Sequence, residues 1–264
     1  QYLVTEEKAA SLCSSLTELT EKLRREPEDF PDLSDMCILF FGDSVIGNFV
    51  GTLSIPGVVA GLSGATVFNC GYGGNSAVMA TPDAVALPSI LDAFFSRDLS
   101  ALPETEQVYR GISAYLADPP EDKELCFVIN YGLNDYFCGY DIASEDPLDV
   151  STFSGAMRKA VQTIRANRPD ARIILCTPNF VNFFDAGTEP HGSEGYVLTD
   201  YVEVVTALSR ELGTDLLDNY NELGITVNNH EEYLQDMVHP NLPCRYIIGK
   251  NICSLIGNLR RTQQ

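Results

Sequence analysis

The chain has 264 residues, 37 of them acidic against 17 basic, for a formal net charge of −20. That length suits one generous α/β domain with a well-buried core, and no apolar run reaches the roughly 18 residues that a membrane-spanning helix needs. So acidic a surface repels phosphate backbones, which argues against a nucleic-acid partner and disfavours a polyanionic substrate.

In chain order, residues 5–25 read as an amphipathic helix, with Leu12, Leu16, Leu19 and Leu23 at helical spacing behind Thr5, Glu6 and Glu7. This helix belongs to a leading segment, 1–35, expected to pack on the edge of the main domain, 36–264. Pro27 and Pro31 break its pattern. Residues 36–41 follow as a strand with no polar alternation, as expected for one covered on both faces. Residues 66–69 are a second, shorter strand. Helical patterns over 89–97 and 105–117 precede a third strand, 124–131. Phe153, Ala156, Met157, Ala160, Val161 and Ile164 form one helical stripe, which ends before Pro169. A fourth strand spans 171–176. Tyr201, Val204, Val205, Leu208 and Leu212 form a helix stopped by Gly213. A short fifth strand, 215–217, and a helix carrying Ile248, Ile252, Leu255, Ile256 and Leu259 complete the chain. This alternation predicts a three-layer α/β/α, flavodoxin-like domain with about five parallel strands. Ligands of such sheets bind beyond the carboxyl ends of the strands, and the irregular stretches 135–150 and 178–195 both follow strand ends.

Eight cysteines are present. Cys37, Cys126 and Cys176 lie in or beside apolar runs and Cys70 follows Val67-Phe68-Asn69, without CxxC or metal-ligand spacing, so they read as core thiols. Core thiols suggest a reducing setting. A chain beginning at Gln1 rather than Met implies that something upstream was removed, so the compartment is left open.

The strand ends carry the chemistry. After the first strand comes Gly42-Asp43-Ser44, and after the second Asn69-Cys70-Gly71-Tyr72-Gly73-Gly74-Asn75-Ser76. After the third comes Gly132-Leu133-Asn134-Asp135, and near the end Asp236-Met237-Val238-His239-Pro240. A serine hydroxyl needs a base to become a useful nucleophile. Of the three histidines, His239 has Asp236 three residues before it, close enough to reach the far ring nitrogen and fix the tautomer. Acyl transfer also needs donors aimed at a developing oxyanion, a task for a glycine N–H, an asparagine amide and the Ser44 N–H. Rival readings exist: Ser44 as the cap of a helix beginning near Val45, Asn134-Asp135 as an ordinary turn, Asp236 as a turn cap and His239 as a surface histidine. His191 and His230 read as structural or solvated, His191 keeping a chance of lining a cleft. There is no phosphate loop, no H-E-x-x-H pair and no G-x-S-x-G elbow.

These blocks resemble those of the SGNH hydrolase superfamily, the GDSL esterase/lipase family. Gly42-Asp43-Ser44-Val45 stands for G-D-S-L, with valine a mild departure. The second block is similar to N-x-[SG]-x-[SG]-G-[DN]-[ST] and puts the oxyanion glycine at Gly74. G-x-N-D puts the oxyanion asparagine at Asn134, and D-x-x-H puts the triad at Asp236 and His239. The four blocks run in family order over residues 42–240, leaving the leading helix outside. The resemblance implies a serine esterase that works through an acyl-enzyme, with no metal or organic cofactor, on short acyl esters of alcohols or carbohydrates. Two other functions stay open: an O-acyltransferase using the same serine, and a non-catalytic binding domain. Oligomeric state is open.

Overall fold

The computed structural model describes residues 30–261; the helix expected over 5–25 lies outside them. Strand β1 (Met36–Gly42) is buried along its whole length, because Met-Cys-Ile-Leu-Phe-Phe offers only apolar side chains to the helices on either face. It pairs in parallel with β2 (Thr66–Gly71) on one side and β3 (Glu124–Asn130) on the other. Strands β4 (Arg172–Cys176) and β5 (Asp215–Leu217) continue the sheet in the order β2-β1-β3-β4-β5, all parallel. The strand order reverses between β1 and β3, which opens a crevice beyond their carboxyl ends. The three-layer α/β architecture is as expected.

Helices α1 (Ser44–Gly47) and α2 (Ile55–Ser63) link β1 to β2. Helices α3 (Leu87–Ser96) and α4 (Gln107–Ala117) lead to β3, and α5 (Leu133–Cys138) and α6 (Phe153–Asn167) to β4. Helix α7 (Leu198–Leu212) leads to β5, and α8 (Leu242–Arg261) closes the described chain. Helix α8 packs on α2, whereas α6 packs on α3 and α7, giving the two outer layers. Phe41 stacks on Phe127 at 6.1 Å, with Phe94 edge-on to both at 5.8 and 6.0 Å, so aromatic rings fill the core between sheet and α3. Cys37, Cys70, Cys126 and Cys176 are buried free thiols, and burial pushes Cys37 and Cys176 up to about 12. Among the described residues no helix is long and apolar enough to cross a membrane.

Several boundaries differ from expectation. Helix α2 has no counterpart in the sequence reading: Gly57 and Gly61 dilute its apolar stripe. It is nonetheless started by Ser54, whose Oγ accepts from Gly57 N–H at 3.1 Å, and is ended by Gly64 at φ 74°. Strands β1 and β2 run on to Gly42 and Gly71 because these glycines let the turns that follow approach closely; a Cβ on Gly71 would lie 2.5 Å from the Gly47 nitrogen. Residues 135–138, expected to be irregular, are helical in α5, and α3 starts at Leu87 rather than at 89. Helix α8 begins six residues ahead of the stripe expected from Ile248.

Candidate active site

The β1–α1 turn is built from its caps upward. Asp43, not Ser44, is the N-cap of α1: its Oδ1 accepts the Val45 N–H at 2.9 Å. Ser44 therefore takes the first helical position, where a backbone N–H has no intrahelical partner, and its side chain is half-buried at the crevice. Asn69 of β2 fastens the end of α1 by donating to the carbonyls of Ile46 and Phe49 at 2.9 and 3.0 Å. Asp43 itself is fully buried, and its second oxygen has no partner. Burial pushes its carboxyl up to about 7, against the pull of the Val45 N–H, and the nearby Asp135 adds to the rise.

His239 reaches this turn from the far end of the chain. Its Nε2 lies 2.8 Å from Ser44 Oγ, and its Nδ1 lies 2.8 Å from Asp236 Oδ2. The carboxylate holds the ring proton on Nδ1, which leaves Nε2 to accept from the serine hydroxyl. Asp236 also accepts the Val238 and His239 N–H groups, at 3.3 and 2.8 Å. It is thus both a turn cap and a histidine partner. That tight turn sets Met237 in the left-handed region at φ 69°, a conformation an unbranched L-residue adopts only when its surroundings impose it. Burial tends to raise Asp236, but the hydrogen bonds and charge of His239 outweigh it and hold the carboxyl below its ordinary value.

Two asparagines after β4 hold the histidine loop in place. Asn179, buried, donates to the Val238 carbonyl at 3.1 Å, and the Asn182 N–H donates to the Met237 carbonyl at 2.8 Å. His230 completes this support: its Nε2 accepts from the Asn182 amide at 2.9 Å, while its Nδ1 meets the Val227 carbonyl at 3.1 Å. His191 is drawn into an aromatic cluster, 4.8 Å from the Tyr136 ring and 4.6 Å from Phe184. On the other side Arg245, buried, donates to the carbonyls of Pro240 and Leu53, both at 2.8 Å, with its guanidinium 3.6 Å over the Phe49 ring.

The second and third blocks meet each other, and the second is tied to the end of β1 by the Tyr72 N–H, which donates to the Gly42 carbonyl at 2.8 Å. Tyr72 to Asn75 form a turn closed by a 3.1 Å bond, with Gly74 at φ 75° in the position where a type II turn requires glycine. The Asn134 amide, at the start of α5, donates to the Asn75 carbonyl at 2.8 Å, using one of its two N–H groups. Tyr131 donates to Asn75 Oδ1 at 3.2 Å. Asp135, fully buried, accepts the Ala77 and Val78 N–H groups at 3.1 and 2.9 Å. Burial raises its carboxyl to about 6 against those two bonds. Residues from the end of β3 thus clamp the glycine loop at several points. The clamps Asn75, Asp135, Asn179 and Asn182 were not assigned from sequence. The D of G-x-N-D was visible there, but nothing local marked its partners.

Residues 40–243 match the GDSL-like Lipase/Acylhydrolase family. The chain belongs to that family, and membership supports a hydrolase acting on acyl groups. Solved structures share the fold. A protein from Lactobacillus plantarum aligns with a TM-score of 0.62 at 19% identity, over 84% of this chain and 97% of its own. A carbohydrate acetylesterase from Sinorhizobium meliloti aligns at 0.53 and 14%, over 85% and 99%. A member of the lipolytic G-D-S-L family from Veillonella parvula aligns at 0.52 and 13%, over 83% and 97%. No curated protein sequence matches the chain.

Proposed function

We propose that the protein is a serine esterase, with Ser44 as nucleophile, His239 as general base and then general acid, and Asp236 as the group that orients the imidazole. The chain of contacts from Ser44 Oγ through both ring nitrogens to Asp236, 2.8 Å at each step, carries this reading. Ser44 Oγ attacks the acyl carbon while His239 Nε2 takes its proton. As the ester C–O bond breaks, the same nitrogen returns the proton to the leaving alcohol, and water repeats the sequence on the acyl-enzyme. The N–H groups of Ser44 and Gly74 and the free N–H of the Asn134 amide are assigned to the oxyanion. Clamping of the glycine loop by Asn134 and Asp135 supports the assignment, because preorganised donors need no reorganisation when charge develops.

Hydrolysis of p-nitrophenyl acetate by wild type and Ser44→Ala tests the reading. The variant should keep the wild-type denaturation midpoint and lose about 10³-fold or more in kcat/KM. A Ser44→Ala rate within tenfold of wild type would overturn the assignment.

A further inference from the structure

Among the described residues, the large apolar side chains left exposed are Val50, Leu53, Leu148, Phe183, Val227 and Met237. None of them lies in a strand or in helices α1–α8. Two of them adjoin the catalytic histidine. Met237, 45% exposed, is two residues before His239. Phe183, 41% exposed, follows Asn182, whose N–H is bonded to the Met237 carbonyl at 2.8 Å.

This apolar surface is built rather than incidental. The Phe183 ring packs at 4.5 Å on Phe184 and edge-on at 6.1 Å on Phe137, which belongs to the same helix as Asn134. The backbone beneath it is fixed by three consecutive left-handed residues, Phe184, Asp185 and Ala186, and Met237 is left-handed too. Such conformations persist only where surrounding structure imposes them.

Position decides which half of an ester meets these side chains. His239 Nε2 must hand its proton to the leaving oxygen, so that oxygen sits within hydrogen-bond reach of the ring. In the same reading the acyl oxygen faces the donors assigned to it, Gly74 and Asn134. Groups beside His239 therefore face the alcohol. The exposed apolar side chains on the backbone that carries and braces His239 are a phenyl ring and a thioether chain, whereas a sugar would need donors and acceptors for its remaining hydroxyls.

We propose that Phe183 and Met237 form a ledge for the alcohol moiety of the substrate, and that this moiety is an uncharged alkyl or aryl group rather than a sugar. The proposal rests on the serine-esterase reading above and adds the substrate class to it.

The test holds the acyl group constant and varies the alcohol. Ethyl, hexyl and 2-phenylethyl acetate have leaving alcohols of similar acidity, so differences in kcat/KM report binding of the alcohol; methyl 6-O-acetylglucoside is the sugar arm. For wild type, kcat/KM should rise about tenfold or more from ethyl to hexyl or 2-phenylethyl acetate, in line with burial of several methylenes or a ring, and the glucoside should be the poorest substrate. Phe183→Ser should flatten that rise to about twofold, and Phe183→Leu, which keeps an apolar surface, should restore most of it. Met237→Ser should also reduce the slope, and urea unfolding midpoints show that each variant is folded. A flat wild-type series, a preference for the glucoside, or an unchanged slope in folded Phe183→Ser overturns the ledge while leaving the serine reading in place. Absence of turnover of any ester overturns both.

Discussion

Replacing Asp43 by asparagine should change how stability depends on pH. The side chain is fully buried, one oxygen caps Val45 and the other has no partner. Burial raises its carboxyl to about 7 from an ordinary 3.8. Each unit of that gap is worth about 1.4 kcal/mol, which sets a ceiling of roughly 4 kcal/mol on the linked stability. The folded chain keeps this proton to about pH 7, whereas the unfolded chain releases it near pH 4. The proton's contribution is therefore fully present below about pH 4 and is lost as the pH rises through about 7. Asparagine retains the capping oxygen and has no proton to lose. It also leaves amide N–H groups where the unpartnered oxygen lay, at a pH-independent cost of about 1–3 kcal/mol. Asp43→Asn should thus be less stable than wild type at pH 4, and the difference should move in its favour by up to roughly 4 kcal/mol by pH 8. Asp135, raised to about 6, titrates in both proteins and leaves a residual slope in each. Urea unfolding at pH 4, 6 and 8 measures the effect through ΔG in water. A difference constant to within about 0.5 kcal/mol over that range, no more than an ordinary surface change produces, would refute the raised carboxyl.

Asn134→Ala should lower kcat by about 10²–10³ with little change in KM, as loss of one oxyanion donor does; steady-state kinetics on p-nitrophenyl acetate decide, and a kcat within about threefold of wild type sinks the role. Asp135→Ala should leave the Ala77 and Val78 N–H groups unpaired, costing about 1–3 kcal/mol in a denaturation experiment and lowering kcat through the displaced glycine loop. Asp236→Ala should reduce kcat by about 10²–10⁴ without loss of fold, read from kinetics beside a circular dichroism spectrum. Gly71→Ala should destabilise by about 1–3 kcal/mol through overpacking, because its Cβ would lie 2.5 Å from the Gly47 nitrogen; an unchanged thermal midpoint would show that the contact can relax.

What the sequence made legible was whatever has a local signature. Unbroken apolar runs marked β1 and β3, and a three-residue strand was visible at 215–217 with the bounds the structure gives it. The motif blocks singled out Ser44, Gly74, Asn134, Asp236 and His239 as candidates, and the structure brings Ser44, His239 and Asp236 into one line of contacts. Helix α2 was missed because its glycines hide the period, and its start depends on a single hydroxyl at Ser54. The supports of the site were illegible for a different reason. Asp135 holds the Ala77 and Val78 N–H groups across 58 and 57 residues, and Asn179 holds the Val238 carbonyl across 59. Only the tertiary fold creates such bonds. Nor does a methionine announce a left-handed conformation; at Met237 the turn around Asp236 overrides the residue's own preference.

Ser44 and His239 are 195 residues apart, and His239 follows the last of the five strands. Protein synthesis delivers them in that order, and chains begin to fold from the N-terminal side as they emerge. Ser44 and then the glycine loop leave the ribosome first, followed by Asn134. His239 comes only after β5. A nascent chain can therefore shape the crevice while its serine still lacks a proton acceptor. On the serine-esterase reading proposed above, the hydroxyl stays unreactive until the loop bearing His239 is bonded to Asn179 and Asn182, so its chemistry would wait for one of the late steps of maturation.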